Sequence, residues 1–345
     1  EEKLLAGTIF LRMNNAHWCH QKIGRKKHEP NDLTKLRSGE VGKKKTDLSH
    51  LTKESRAILE LSDYDRILRI QADRWIGYPI AKKVLTRLED LANWPGKQRM
   101  PNLLIIGPTN NGKSTIIEKF RRKYPAVETR KNFDDMRMPV VAFQMPPDPS
   151  GTRFYSMLIK STGAVVRQSR TAELEQAALN RLRSVKARIL VIDELHNVLS
   201  GQSDVRREFL NTLRFLGNEL RIPIVGVGTR DAYLAIRSDD QLENRFEPIP
   251  IPRWKEGDDL LSLLASFEAV LPLHKRSELA TPEMARYILS RTEGTIGEIA
   301  MFLAMAATEA IRTGEERMSS KVLKNAQYQS PTERTRAFER QLQVG

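Results

Sequence analysis

The chain has 345 residues, 40% hydrophobic and 29% charged, with 57 Lys and Arg against 43 Asp and Glu for a net charge of +14. That length allows two domains or one large domain with extensions, and without any run of about 18 uncharged apolar residues a helical membrane span is excluded. A single cysteine, Cys19, excludes an internal disulfide framework. The basic excess favours a polyanionic partner such as nucleic acid, although solubility alone would also account for it.

In chain order, residues 1–50 hold eleven basic and six acidic side chains, with the runs GRKKHEP and VGKKKTD among Gly, Asn, Ser and Pro. They read as a basic, flexible N-terminal extension. The opening stretch EEKLLAGTIFLRMNNAHWCHQ lacks the sustained apolar core of a secretion signal, so a cytoplasmic location is expected. His17, His20 and His28 lie around Cys19, but one thiolate with irregularly spaced imidazoles lacks the paired spacing of a zinc site. A loosely ordered polar segment is the preferred reading there.

From residue 51 the pattern tightens into helical stretches, the last with Leu85, Leu88 and Leu91 on one face and a stop at Pro95 and Gly96. Four apolar runs follow, at residues 102–107, 139–145, 188–193 and 222–228, alternating with helical patterns. Strands apolar on both faces that alternate with helices predict a parallel sheet flanked by helices, an α/β fold. Between the last two runs, Val205, Phe209, Leu213, Leu216 and Leu220 predict an amphipathic helix. Pro248, Pro250 and Pro252, at every second position, suit an extended linker and exclude helix. They close an α/β domain at 51–254, followed by a small all-helical domain at 255–326 and a polar, mobile C-terminal tail at 327–345.

The second of these blocks carries chemistry. Gly107, Pro108, Thr109, Asn110, Asn111, Gly112, Lys113 and Ser114 match GxxxxGK[ST], after a predicted strand and before a predicted helix. The glycines let backbone N–H groups curl round phosphates, Lys113 supplies a cation, Ser114 offers its hydroxyl to Mg²⁺, and the helix points its positive end at the anion. ATP with Mg²⁺ is the expected ligand. In RILVIDEL, Asp193 ends an apolar strand, where its carboxylate can hold the metal, and Glu194 can polarise an attacking water. Thr229 in GVGTRD either contacts the γ-phosphate or the water, or caps the helix that follows. Arg245, fixed by Phe246 and the prolines, either reaches a neighbouring subunit's nucleotide or pairs with Glu243 or Glu247.

The segments LLIIGPTNNGKST, ILVIDELHNVLSG, REFLNTLRFLGNELRIPIVGVGTRDA, NRFEPIPIPRW and RTEGTIGEIA resemble the TniB/TnsC family of AAA+ ATPases that regulate DNA transposition, over about residues 50–320. The resemblance implies an AAA+ P-loop fold with a helical lid domain. It also implies an ATPase that oligomerises as rings or filaments on target duplex DNA, answers to a target-selection protein, and recruits and activates a transposase. Lys113 and Ser114 then match Walker A, with Thr115 beside them, Asp193 and Glu194 match Walker B, Thr229 sensor 1, and Arg245 the arginine finger acting in trans. ADRWIGYPIA places Ile76, Tyr78 and Pro79 near the adenine, though core packing explains them equally. Gln144 would restrain Glu194 until DNA binds. Arg153, Lys160, Arg167 and Arg170 become DNA-phosphate candidates, with a solvated helix face as the alternative. Lys26, Lys27 and Lys43 to Lys45 would add non-specific affinity or bind a protein partner. One departure is Gly297, which stands where many AAA+ proteins carry the lid arginine of sensor 2, so slow hydrolysis is expected. A helicase-loading or replication-initiation ATPase, or a scaffold that binds ATP without turnover, are the competing functions.

Overall fold

The structure, a computed structural model, describes residues 47–128, 136–148, 150–201 and 203–343. Cys19 with its neighbouring histidines, and Lys26, Lys27 and Lys43 to Lys45, lie outside these residues. Before the sheet come α1 (Lys53–Ile58), α2 (Asp63–Gln71) and α3 (Pro79–Ala92). Thr52 and Ser62 cap the first two by accepting backbone N–H bonds from Ser55 and Asp65, and Pro79 opens the third, where its missing N–H costs nothing.

The α/β part runs β1 (Asn102–Ile106), α4 (Lys113–Lys123), a short antiparallel ribbon of β2 (Val127–Glu128) and β3 (Met136–Arg137), then β4 (Val140–Gln144), α5 (Gly151–Ser161) and α6 (Thr171–Ser184). It continues through β5 (Ile189–Asp193), a 3-10 turn (Leu195–Ser200), α7 (Ser203–Leu220), β6 (Ile224–Gly228), α8 (Arg230–Arg237), α9 (Asp240–Glu243) and β7 (Phe246–Pro250). The C-terminal part is helical: α10 (Asp258–Val270), α11 (Pro282–Thr292), α12 (Ile296–Arg312), α13 (Ser320–Asn325) and α14 (Pro331–Gln343).

Five strands form one sheet in the order β4-β5-β6-β1-β7, every pair parallel. Successive side chains go to opposite faces, as the period of two demands. Leu103, Ile105, Val191, Val225 and Val227 join a core with α3, α4 and the C-terminal helices, while Leu104, Val141, Leu190, Ile192 and Ile224 join one with α5 to α8. Four of the strands occupy the four apolar runs. No single helix among the described residues is long and apolar enough to cross a membrane.

The fifth strand is a departure, because residues 246–250 pair with β1 in register, Phe246 opposite Asn102 and Pro250 opposite Ile106. The prolines that suggested a linker are tolerated because β7 lies at the sheet edge. The Ile251 N–H donates to the Ile106 carbonyl at 2.6 Å, and Asn102 N–H donates to the Arg245 carbonyl at 2.9 Å. Odd-numbered residues therefore face β1, and Pro248, Pro250 and Pro252 put their missing donors on the open side. That same spacing blocks any further strand from adding there.

A second departure concerns residues 327–343, expected as a mobile tail. Tyr328 is buried, and α14 is seated on α11 and α12 by Arg291–Glu333 at 2.8 Å and Arg334–Glu298 at 2.7 Å. The apolar core itself runs without a break from the sheet face through Leu260, Ile288 and Phe302 to Val322 and Tyr328.

Candidate nucleotide-binding site

Parallel strands deliver their C-terminal ends to one edge, and that edge holds the chemistry. The loop between β1 and α4 turns through Asn110 (φ 56°) and Gly112 (φ 79°), both left-handed. Gly112 is required there, since a Cβ would also stand 3.1 Å from both the Tyr78 hydroxyl and the Ile296 side chain. Lys113 is buried at the start of α4, with its ammonium donating to the Gly107 and Pro108 carbonyls at 2.9 and 2.6 Å. Burial lowers its pKa, against the opposing pull of the Glu194 and Asp193 charges. Thr109, Ser114 and Thr115 are exposed along the loop and the first turn of α4.

Because β6 lies between β1 and β5, its end brings Thr229 between the loop and Asp193. Ser114 Oγ donates to Asp193 Oδ2 at 2.7 Å, and Asp193 Oδ1 accepts the Glu194 N–H at 2.8 Å. Glu194 has a left-handed backbone (φ 55°), uncommon for a non-glycine residue. Its carboxylate lies 3.1 Å from His196 Nε2, and no hydrogen bond joins it to Gln144, which is opposite Asp193 on β4. His196 was not singled out in the sequence; it follows Glu194 by two residues, and only the 3-10 turn folds it back. Its Nδ1 is buried without a partner.

Thr229 takes the N-cap position of α8 but makes no side-chain cap bond, and its Oγ1 is buried without a partner. An orphaned hydroxyl at a strand end points to a ligand or water as its missing partner. The Tyr78 hydroxyl, beside Gly112, is orphaned in the same way, and burial pushes its pKa up to about 12. Ile76 and Tyr78 belong to the core, Tyr78 edge-on to Trp254 with ring centroids 5.3 Å apart, while Pro79 is exposed.

Arg245 is not part of this edge. It lies at the N-terminal end of β7, beside the start of β1, and donates to Asn218 Oδ1 at 2.9 Å. Glu243 and Glu247 are taken by Arg237 and Arg87. Five strand residues, roughly 16 Å, separate Arg245 from its own phosphate loop.

Arg153, Lys160, Arg167 and Arg170 are all exposed. The contact between the Thr152 and Thr171 hydroxyls at 2.7 Å aligns the starts of α5 and α6, so Arg153 and Arg170 share one end of this pair and Lys160 marks the other. Arg153 lies 3.5 Å from Asp148.

The lid approaches the loop from the other side. Asn111 donates to the Ile251 and Pro252 carbonyls at 2.9 Å and accepts the Ile296 N–H at 3.3 Å, while the Gly297 N–H donates to the Asn110 carbonyl at 3.0 Å. A Cβ at 297 would fall 1.9 Å from Asn110 Oδ1. The Asn110 side chain thus occupies the space beside Gly297, and a larger residue at 297 would have to displace it. Among the described residues no cluster of His, Cys, Asp and Glu forms a metal site on its own.

The parallel sheet with this strand order, a phosphate loop after β1 and a set of helices that follows β7 in the chain define the AAA+ fold. The ADP form of the Aeropyrum pernix ORC2 protein has a similar structure, with a TM-score of 0.51 and 17% identity over 75% of this chain and 71% of that one. Drosophila ORC bound to DNA is similar at a TM-score of 0.51 and 12% identity, over 87% and 70%. Among curated proteins, the chaperone protein ClpB of Meiothermus ruber is 23% identical over 200 residues; the match takes in 55% of this chain but only 21% of ClpB. A profile of the family described as Bacterial TniB protein matches residues 66–256, more than half of the chain, and the chain belongs to that family.

Proposed function

We propose that this protein is an ATPase that assembles on duplex DNA and regulates transposition, linking target selection to recruitment and activation of a transposase. The observation that carries the assembly is the position of Arg245. It stands at the sheet end opposite its own phosphate loop, so a guanidinium there serves a nucleotide only when a second subunit brings its loop alongside.

The residues present fit ATP and a divalent cation. Lys113 would sit by the β- and γ-phosphates, the loop N–H groups from Gly107 to Gly112 would line the phosphates, and Ile76, Tyr78 and Pro79 lie on the side of the loop expected for the base. Ser114 Oγ and Asp193 Oδ2 are the hard oxygen donors that would hold Mg²⁺, which neutralises phosphate charge when bound. In hydrolysis, Glu194 takes a proton from water as its oxygen attacks the γ-phosphorus, the bond to the β–γ bridging oxygen breaks, and ADP leaves. Thr229 Oγ1 orients the water or the γ-phosphate. His196 holds the Glu194 carboxylate back until assembly on DNA releases it.

DNA would be held through its phosphates, by Arg153, Lys160, Arg167 and Arg170, and without base reading, as the net charge of +14 suits. Electron microscopy of the protein with duplex DNA and a non-hydrolysable ATP analogue should show rings or filaments. Only monomers under those conditions would refute the assembly. Binding should need nucleotide and weaken steeply with salt; equal affinity at low and high salt would remove DNA from the reading. A scaffold that never turns over would show no DNA-stimulated phosphate release above that of Glu194→Gln.

A further inference from the structure

The proposed catalysis does not use the buried carboxylate of Glu298. Glu298, in the first turn of α12, is 4% exposed and lies directly behind the phosphate loop. Its Oε1 accepts Asn110 Nδ2 at 3.0 Å and Arg334 Nη2 at 2.7 Å, and its Oε2 accepts the Tyr328 hydroxyl at 2.7 Å. A loop built to attract phosphate has no use for a buried anion at its back. Uncompensated, that charge would both resist burial and repel the ligand.

Among the described residues, Arg334 is the one cation paired with Glu298. It comes from the first turn of α14, outside the lid helices, and α14 is held in place nearby. The Thr332 N–H and hydroxyl donate to Glu293 Oε1 at 3.0 and 2.6 Å, and Arg291 pairs with Glu333 at 2.8 Å. The lid itself offers no side chain at 297, where Gly297 stands against the Asn110 side chain. Asn110 is thereby joined to the C-terminal helix through one shared oxygen.

We propose that Arg334 is a positioning residue for the nucleotide, acting through Glu298 on Asn110, and that the seating of α14 sets nucleotide affinity. With Arg334 in place, Glu298 holds the loop as a neutral pair; when α14 lifts away, the bare carboxylate faces the phosphates. This rests on the nucleotide reading of the loop given above.

The test is equilibrium titration of ATP and ADP on the full chain. Arg334→Ala should weaken ATP binding roughly tenfold or more, and ADP binding less, because the penalty scales with ligand charge. Arg334→Lys, which keeps the charge, should bind close to wild type. The decisive variant is Arg334→Ala with Glu298→Gln: the glutamine oxygen still accepts from Asn110 but carries no charge, so ATP affinity should return to within about threefold of wild type. A purely structural role for Arg334 would not be rescued by removing its partner's charge. Should Arg334→Ala fail to fold, Glu298→Gln alone must bind ATP at least as tightly as wild type. The proposal is overturned if Arg334→Ala binds within twofold of wild type, if the double variant stays as weak as the single, or if Glu298→Gln binds ATP more weakly than wild type. Wild type that binds neither nucleotide would refute the nucleotide reading itself. Wild type that binds ATP with an indifferent Arg334 refutes only the coupling.

Discussion

The phosphate loop has two sides, and they are built in different ways. On the sheet side, Lys113 and Ser114 open α4, Ser114 bonds to Asp193, and Asp193, Glu194 and Thr229 stand at the ends of adjacent parallel strands whose backbone ladders fix their spacing. On the lid side, Asn110 and Asn111 meet Pro252, Ile296, Gly297 and Glu298, with Arg334 behind them, segments far apart in the chain that helix packing brings together. Strand ends shift little without unfolding the sheet, whereas a helix seated by a few ion pairs can leave and return. On the proposed function, chemistry falls to the first side; on the further inference, control of the ligand falls to the second.

The largest effect should come from a residue on neither side. If Arg245 completes a neighbour's site, Arg245→Ala should lower DNA-stimulated phosphate release about 10³-fold or more while leaving ATP binding by the isolated chain intact. Mixing Arg245→Ala with Lys113→Ala subunits should restore part of the activity, because each variant supplies what the other lacks. Equal inactivity of the mixture would argue that Arg245 acts within its own subunit.

Next in size is the sheet side. Glu194→Gln should reduce hydrolysis about 10²- to 10⁴-fold with ATP affinity little changed, since the amide keeps the shape but cannot accept the water's proton. A parallel fall in ATP affinity would mean that Glu194 organises the loop and does not serve the water.

On the lid side the effects should be on stability and binding. Arg66 is buried, with Asp63 at 2.9 Å and Glu316 at 2.6 Å, and ties α2 to the end of the lid. Arg66→Ala should cost about 3 kcal/mol, read by denaturant melts, because Arg66 is buried and its loss leaves the part-buried Glu316 with His274 as its remaining partner. Burial pushes the Glu316 carboxyl up, but hydrogen bonds from Arg66 and His274 outweigh it and hold it down at about 2. Its folded value is below its unfolded one, so the pair's stabilisation is complete above about pH 4.5 and is lost as pH falls toward 2. Glu316→Gln should flatten the acid limb of the stability curve across that window. The smallest effect is expected from Gly297→Ala, about 1–3 kcal/mol from the clash with Asn110, relieved when Asn110 is also made alanine. A neutral Gly297→Ala would show that the loop and lid do not press together in solution.

The phosphate loop and the Asp-Glu pair could be read from the sequence because each is a short contiguous pattern at a strand end, where local geometry and chemistry coincide. The alternation of strands and helices was legible for the same reason, since periodicity is local. β7 was misread because a proline spacing that forbids helix says nothing of edge position, which depends on which strand lies beside it. His196 escaped notice because nothing in DELH announces a 3-10 turn that folds its imidazole onto Glu194.

The sequence by itself determined the parts: an apolar parallel sheet, a glycine-bearing loop that ends in Lys113 and Ser114, an Asp-Glu pair at a strand end and a basic excess of charge. Tertiary structure alone decided how they face one another. It put Thr229 between Lys113 and Asp193, Arg245 at the opposite end of the sheet, and Arg334 behind the phosphate loop. The reason is physical: periodicity and motif are set by neighbours in the chain, but these juxtapositions come from packing and buried charge pairing between segments as far apart as Asn110 and Arg334.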